Sequence, residues 1–205
     1  TAGPEYEIIV PYTCDGKVIP VEELKVNYPK ACNYFYKKEH GFVDVLVNRG
    51  IYKKHYASLE TAKGIPEYVL YDIGEYTFSP YKVVWKALAS GMIAVTISTI
   101  ADRLVIPDHN VVMIPIDDED EAYYLSGILN AEIVSRFVNA YISWFFSTHI
   151  LEHMRIPKYD STNISHKRIM ELSRKAHKYA IKDKNKLFDI EKKLNTEAEI
   201  LLING

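Results

Sequence analysis

A chain of 205 residues with 48% hydrophobic side chains carries enough apolar surface to bury a core, which excludes a disordered tail. Its 25 Lys and Arg against 27 Asp and Glu leave a formal charge of -2, and that balance excludes a general nucleic-acid coating protein, whose phosphate grip needs a basic surface. Any nucleic-acid contact has to come from a local patch.

Thr1 to Pro20 shows no basic segment followed by an apolar run, so no secretory leader is expected. Cys14 and Cys32 fit two buried thiols in a reducing cytoplasm. The start at Thr1-Ala2-Gly3 has no initiator Met, and the chain is expected to be a piece of a longer protein. Two β-rich runs, Glu7–Tyr12 and Lys17–Pro20, flank Cys14-Asp15-Gly16, and Asp-Gly predicts a hairpin. From Val21 to about Lys38 the spacing is helical, with a break at Tyr28-Pro29 because a residue before proline avoids the α region. The basic and aromatic Tyr52-Lys53-Lys54-His55-Tyr56 has no period and reads as an exposed loop.

From Tyr68 to Ile116 the chain is rich in Val, Ile, Tyr and Thr and is punctuated by Gly and Pro, which predicts about four strands of a mixed or antiparallel sheet. The acids Asp117–Glu121 then precede an apolar periodic run, where they suit a helix N-terminus. Tyr123–Leu151 is interrupted by Glu132 and Arg136, so it reads as a pair of core helices and not as a membrane span. Polar caps around Asp160–Asn163 predict a helix from Ile164 past Ala180, and Lys182–Ile203 repeats the helical spacing. The expected fold is α+β: an N-terminal hairpin and helices, a central mixed or antiparallel sheet, and a C-terminal helical part. One domain over 1–160 with a helix pair over 161–205 packed on it is the expected organisation.

The chain has no glycine-rich cofactor loop, no Asn/Asp-Pro-Pro-Tyr/Phe segment, no phosphate-cradling Gly-x-x-x-x-Gly-Lys and no Gly-x-Ser-x-Gly elbow. No common catalytic centre is readable. His149-Ile150-Leu151-Glu152-His153 matches the His-x-x-Glu-His spacing that sets two imidazoles on one helix face for a metal, which makes a small metal hydrolase a rival reading. The plainer alternative is a helix end with polar surface residues. Trp85, Trp144, Phe145 and Phe146 are expected to anchor packing.

Candidate nucleic-acid contacts fall into three groups, each with solvated surface charge as its bland alternative. Arg49, Lys53, Lys54 and His55, with Tyr52 between them, combine cations for phosphates with flat rings for sugars or bases. Lys82, Lys86 and Arg103 belong to the sheet region, and Lys82 and Lys86 share strand parity, so both are expected on a face open to solvent or DNA. Thr148, His149, Arg155 and Lys158 surround Ile156-Pro157.

The order of Ser79-Pro80-Tyr81-Lys82-Val83-Val84-Trp85-Lys86, then Val105-Ile106-Pro107-Asp108-His109-Asn110, then Glu121-Ala122-Tyr123-Tyr124-Leu125-Ser126-Gly127-Ile128-Leu129-Asn130, then Arg155-Ile156-Pro157-Lys158-Tyr159 resembles a known arrangement. It is similar to the C-terminal specificity domain of Taq-type adenine-N6 DNA methyltransferases, including those fused to restriction nucleases. The resemblance implies a part that reads double-stranded DNA and holds no cofactor. The catalytic domain, covalently upstream, would bind S-adenosylmethionine and the extruded adenine, giving a non-catalytic chain from a cytoplasmic site-specific methyltransferase. A separate specificity subunit of a multi-subunit restriction system is the alternative within this class. The three cationic groups are then expected on one face, with the acidic Asp117–Glu121 run away from it.

Overall fold

The computed structural model describes residues 7–36, 45, 47–50, 65–70, 72–89, 91–100, 103–108, 110–141 and 147–204. Two compact units divide the chain, one over Pro4–Phe78 and one containing Ser79–Gly205. The division falls between 78 and 79 and not at 160. The C-terminal helices share a unit with the sheet because they bury the same apolar side chains.

In the first unit the Asp-Gly turn closes as expected, with Gly16 at φ 79° and Thr13 accepting the Gly16 N–H at 2.9 Å. The expected ribbon shortens to a single antiparallel pairing, Tyr12 with Val18. Pro11 and Pro20 flank that pair and bring no N–H to extend the ladder. Cys14 is exposed in the turn, against the expectation of two buried thiols, while Cys32 is buried and both are free. Helix α1 (Val21–Asn27) ends and α2 (Pro29–Tyr36) begins at the predicted proline break, with Pro at the first helical position where its missing N–H costs nothing. Ile19, Leu24, Cys32, Phe35 and Tyr68 form the core of this unit. The Tyr68 ring stacks on Phe35 at 5.0 Å and its hydroxyl donates to the Ile19 carbonyl at 2.5 Å. Burial pushes that phenol up to about 12.

The second unit is an antiparallel sheet of three strands among the described residues, covered on one face by helices. Strands β1 (Tyr81–Lys86), β2 (Val95–Ser98) and β3 (Val111–Ile116) lie in the order β2-β1-β3. Val83 sits opposite Thr96 on one side and Ile114 on the other. About four strands are expected between Tyr68 and Ile116 and three form among the described residues, with Glu75–Phe78 in a 3₁₀ turn between Gly74 and Pro80.

Helix α3 (Glu119–Leu129) starts at Asp118, whose carboxylate accepts the Glu121 N–H at 2.8 Å, so the acidic run caps a helix as its position suggested. Helix α4 (Glu132–Tyr141) follows, its first N–H donating to Asn195 at 2.9 Å. Helix α5 (Ile164–Tyr179) is capped by Asn163, and helix α6 (Lys184–Asn204) starts behind Asp183, which accepts the N–H groups of Asn185 and Lys186. α5 packs against both α3 and α6. Val83, Trp85, Ala94, Tyr124, Ile128, Val138, Ile169 and Leu194 meet in one core. Among the described residues no helix is long and apolar enough to cross a membrane. Trp85 anchors the core as expected, whereas Trp144, Phe145 and Phe146 lie outside the described residues.

Candidate nucleic-acid interface

Hydrogen bonds as well as packing tie α3 to β2 and to the Ile156-Pro157 segment. Asn130, at the end of α3, donates its side-chain amide to the Ala94 carbonyl at 2.7 Å and accepts the Ala94 N–H at 2.9 Å, which pins the helix to the start of β2. Thr96 hydrogen-bonds the Ala122 carbonyl and Ser126 along the same line. The buried Tyr124 sends its hydroxyl to the Pro157 carbonyl at 3.0 Å, and its ring lies 5.3 Å from Tyr159 and 4.7 Å from His166. The Ile156-Pro157-Lys158-Tyr159 turn is therefore held by α3 and α5. That leaves Arg155 and Lys158 exposed, with no hydrogen bond or ion pair among the described residues.

The first cationic group is mostly beyond reach: Tyr52, Lys53, Lys54 and His55 lie outside the described residues. Arg49 is half-buried and donates to the Val69 carbonyl at 2.7 Å, a bond that holds its own unit together.

The second group needs correction. Lys82 is 2% exposed, and its ammonium donates to the Ser79 carbonyl at 2.7 Å, whereas Lys86 on the same strand face is exposed. Equal parity set both side chains on one side of the sheet, but parity does not say what covers each position. Burial lowers the Lys82 pKa because one carbonyl does not replace a full water shell. Lys82→Met is accordingly expected to be neutral or to stabilise the protein by about 1 kcal/mol, since a buried charge without an ionic partner gains little from its surroundings. Urea unfolding reads this directly, and a loss of stability would mean that the ammonium is needed where it is. Lys86 alternates with Trp85 and so projects from the face opposite the helices. Arg103, also exposed, pairs through its backbone with Ile100.

The third group stays on the helical side of the sheet. The His-x-x-Glu-His spacing behind the rival metal reading falls in a 3₁₀ helix, Thr148–His153. Three residues per turn put side chains four apart about a third of a turn out of line, where an α-helix would nearly align them. His149 hydrogen-bonds Glu152 at 3.0 Å in solvent, and His153 stacks on Tyr141 at 6.0 Å. Thr148 is exposed at the start of this helix.

The sheet separates Lys86 from the Arg155–Lys158 turn, so the single face expected for the second and third groups does not assemble. Nor does the acidic run keep its distance. The Tyr159 ring lies 5.3 Å from that of Tyr124, one turn along α3 from Asp120, and burial first, then the carboxylates of Asp120 and Asp118, raise its pKa. Arg174 offsets part of that negative charge, pairing with Asp120 at 2.8 Å and Glu119 at 3.2 Å while its guanidinium lies 4.8 Å from the Tyr123 ring centre.

Two histidines that the sequence reading passed over hold this side of the molecule. His166 Nδ1 accepts the Asp160 N–H at 3.0 Å, and His177 Nε2 accepts the Thr96 N–H at 2.9 Å while its Nδ1 donates to the Ser173 carbonyl. Each imidazole is neutral in this role, and burial lowers both pKa values below the ordinary 6.5. Between the lowered folded value and 6.5 the unfolded chain binds more protons, so stability is complete above 6.5 and falls as the pH drops through that window. The urea midpoint is expected to decline from pH 7.5 to pH 5, and His166→Gln with His177→Gln to flatten the decline. An unchanged slope in the double variant would contradict this assignment. The signal was faint in sequence: both histidines sit on the apolar side of an otherwise basic helix.

No family model, curated protein or solved structure matches this chain.

Proposed function

We propose that this chain is the sequence-specific DNA recognition part of an adenine-N6 DNA methyltransferase or restriction-modification enzyme. The reading rests on the resemblance of its ordered segments, and one observation carries it further: Tyr124, in one of those segments, holds the Ile156-Pro157 stretch of another, where Arg155 and Lys158 stay unpaired and exposed. Cations on a braced turn suit phosphate contacts that set register, next to side chains that reach base edges. Methyl transfer and S-adenosylmethionine binding belong, in this reading, to a catalytic domain joined upstream, which also takes the flipped adenine. The partner is double-stranded DNA, and the site is cytoplasmic.

Two free cations beside an acidic helix end imply a weak grip. With about 0.9 released counterions per neutralised phosphate, the logarithmic salt slope of duplex binding should be about -2. Fluorescence anisotropy with a labelled duplex over a salt series tests this, and Arg155→Ala and Lys158→Ala should each remove about 0.9 from the slope. Calorimetry with S-adenosylmethionine is expected to be flat. Micromolar cofactor binding by the pure chain, or duplex affinity indifferent to both substitutions, would end the proposal.

A further inference from the structure

Beside the braced turn a pocket of about 220 Å³ opens between α4, the 153–156 segment and α6. Phe137, Met154, Ile156 and Leu202 supply apolar walls, and the polar members of its lining, His153 and Arg155, are both exposed. A cavity of about 150 Å³ already admits one benzene ring. This one has room for a single larger ring system and not for two stacked ones.

The approach to the pocket is aromatic. Tyr141 is 66% exposed, lies 4.7 Å from Phe137, and stacks on His153 with 12° between the ring planes. The two nearly parallel rings are both exposed beside the pocket, an arrangement that a planar heterocycle can extend by stacking and an aliphatic ligand cannot. Arg155 brings an unpaired guanidinium to the same lining, suited to an anion attached to that heterocycle. Apolar slot, exposed aromatic rings and free cation together match one chemical unit, a base with its phosphate. A fully paired duplex hides both faces of every base in the stack.

We propose that this pocket receives one unstacked nucleobase of the bound DNA, distinct from the target adenine that the catalytic domain takes, with Arg155 on the adjoining phosphate. The inference rests on the DNA reading above and adds that the chain engages a base outside the helix stack, not only base edges in a groove.

The test compares three short labelled duplexes of one sequence with the purified chain: fully paired, carrying a single unpaired adenine, and carrying an abasic site in place of that adenine. The unpaired adenine is expected to tighten binding about tenfold, and the abasic duplex to return to the paired level, since base–aromatic stacking contributes on that scale. Tyr141→Ala should remove most of the tenfold gain. Because Tyr141 is a surface residue, its urea midpoint should stay that of the unchanged chain. Arg155→Ala should lower the salt slope for the adenine-bearing duplex by about 0.9. Equal affinity for all three duplexes overturns the pocket assignment while leaving duplex recognition standing, and no binding to any of them overturns both. A chain that self-associates, and that Tyr141→Ala makes monomeric, would assign the pocket to a second copy and so overturn the proposal as well.

Discussion

Replacing Gly16 by Ala is expected to destabilise the Pro4–Phe78 unit by about 3 kcal/mol, the sum of two separate effects. Gly16 holds a φ of 79°, where an L side chain costs about 1–2 kcal/mol. An added Cβ would also stand 2.6 Å from the Gly74 carbonyl carbon and 2.7 Å from the Glu75 nitrogen, both backbone atoms that no rotamer change can move aside. Relief has to come from shifting the chain around Gly74, and overpacking of this kind costs roughly 1–3 kcal/mol. Gly50→Ala supplies the control, because a methyl there meets nothing within 4 Å. Urea unfolding should show a clear loss for the first substitution and a change within about 0.5 kcal/mol for the second. Equal midpoints for the two would remove the argument.

The second large effect belongs to the helical layer. Gly127 lies where α3 crosses α5, and a Cβ there would meet Ile169 Cγ2 and Ser173 Cβ at 3.0 Å. Ser126 and Ser173 already hydrogen-bond across this contact at 3.0 Å, so the helices have no slack to separate without losing a buried bond. Ala would gain helix propensity against a tight contact, and its effect is small. Leu has no such compromise: Gly127→Leu should cost about 3 kcal/mol through forced separation of α3 and α5. The consequence reaches the candidate interface, since Tyr124 on α3 and His166 on α5 brace the turn that carries Arg155 and Lys158. Duplex affinity should therefore fall together with stability in Gly127→Leu. A stable Gly127→Leu protein with unchanged unfolding would show that the two helices can part freely.

Several local features were legible because their cause is local. The proline break between α1 and α2, the Asp-Gly turn, the acidic cap of α3 and the start of α5 at Ile164 each depend on residues within a few positions of one another. Propensity and capping act over that range, and sequence alone determined them. The α+β class followed from the same signals taken in order.

What the tertiary structure decided is where the charges end. Lys82 and Lys86 are alike in strand parity, and one is buried against a carbonyl while the other faces solvent. His149 and His153 have the spacing of a metal pair, and a 3₁₀ helix turns them out of line. Asp118 caps α3 as its position suggested, yet the return of the chain through Pro157 packs Tyr159 on Tyr124, one turn along the helix from Asp120. Burial, face and electrostatic neighbourhood are set by segments tens of residues apart, packed through Asn130, Tyr124 and the two imidazoles, and no pattern within one segment encodes them. Sequence determined which elements form; packing between distant elements determined which of their side chains remain free to meet a ligand.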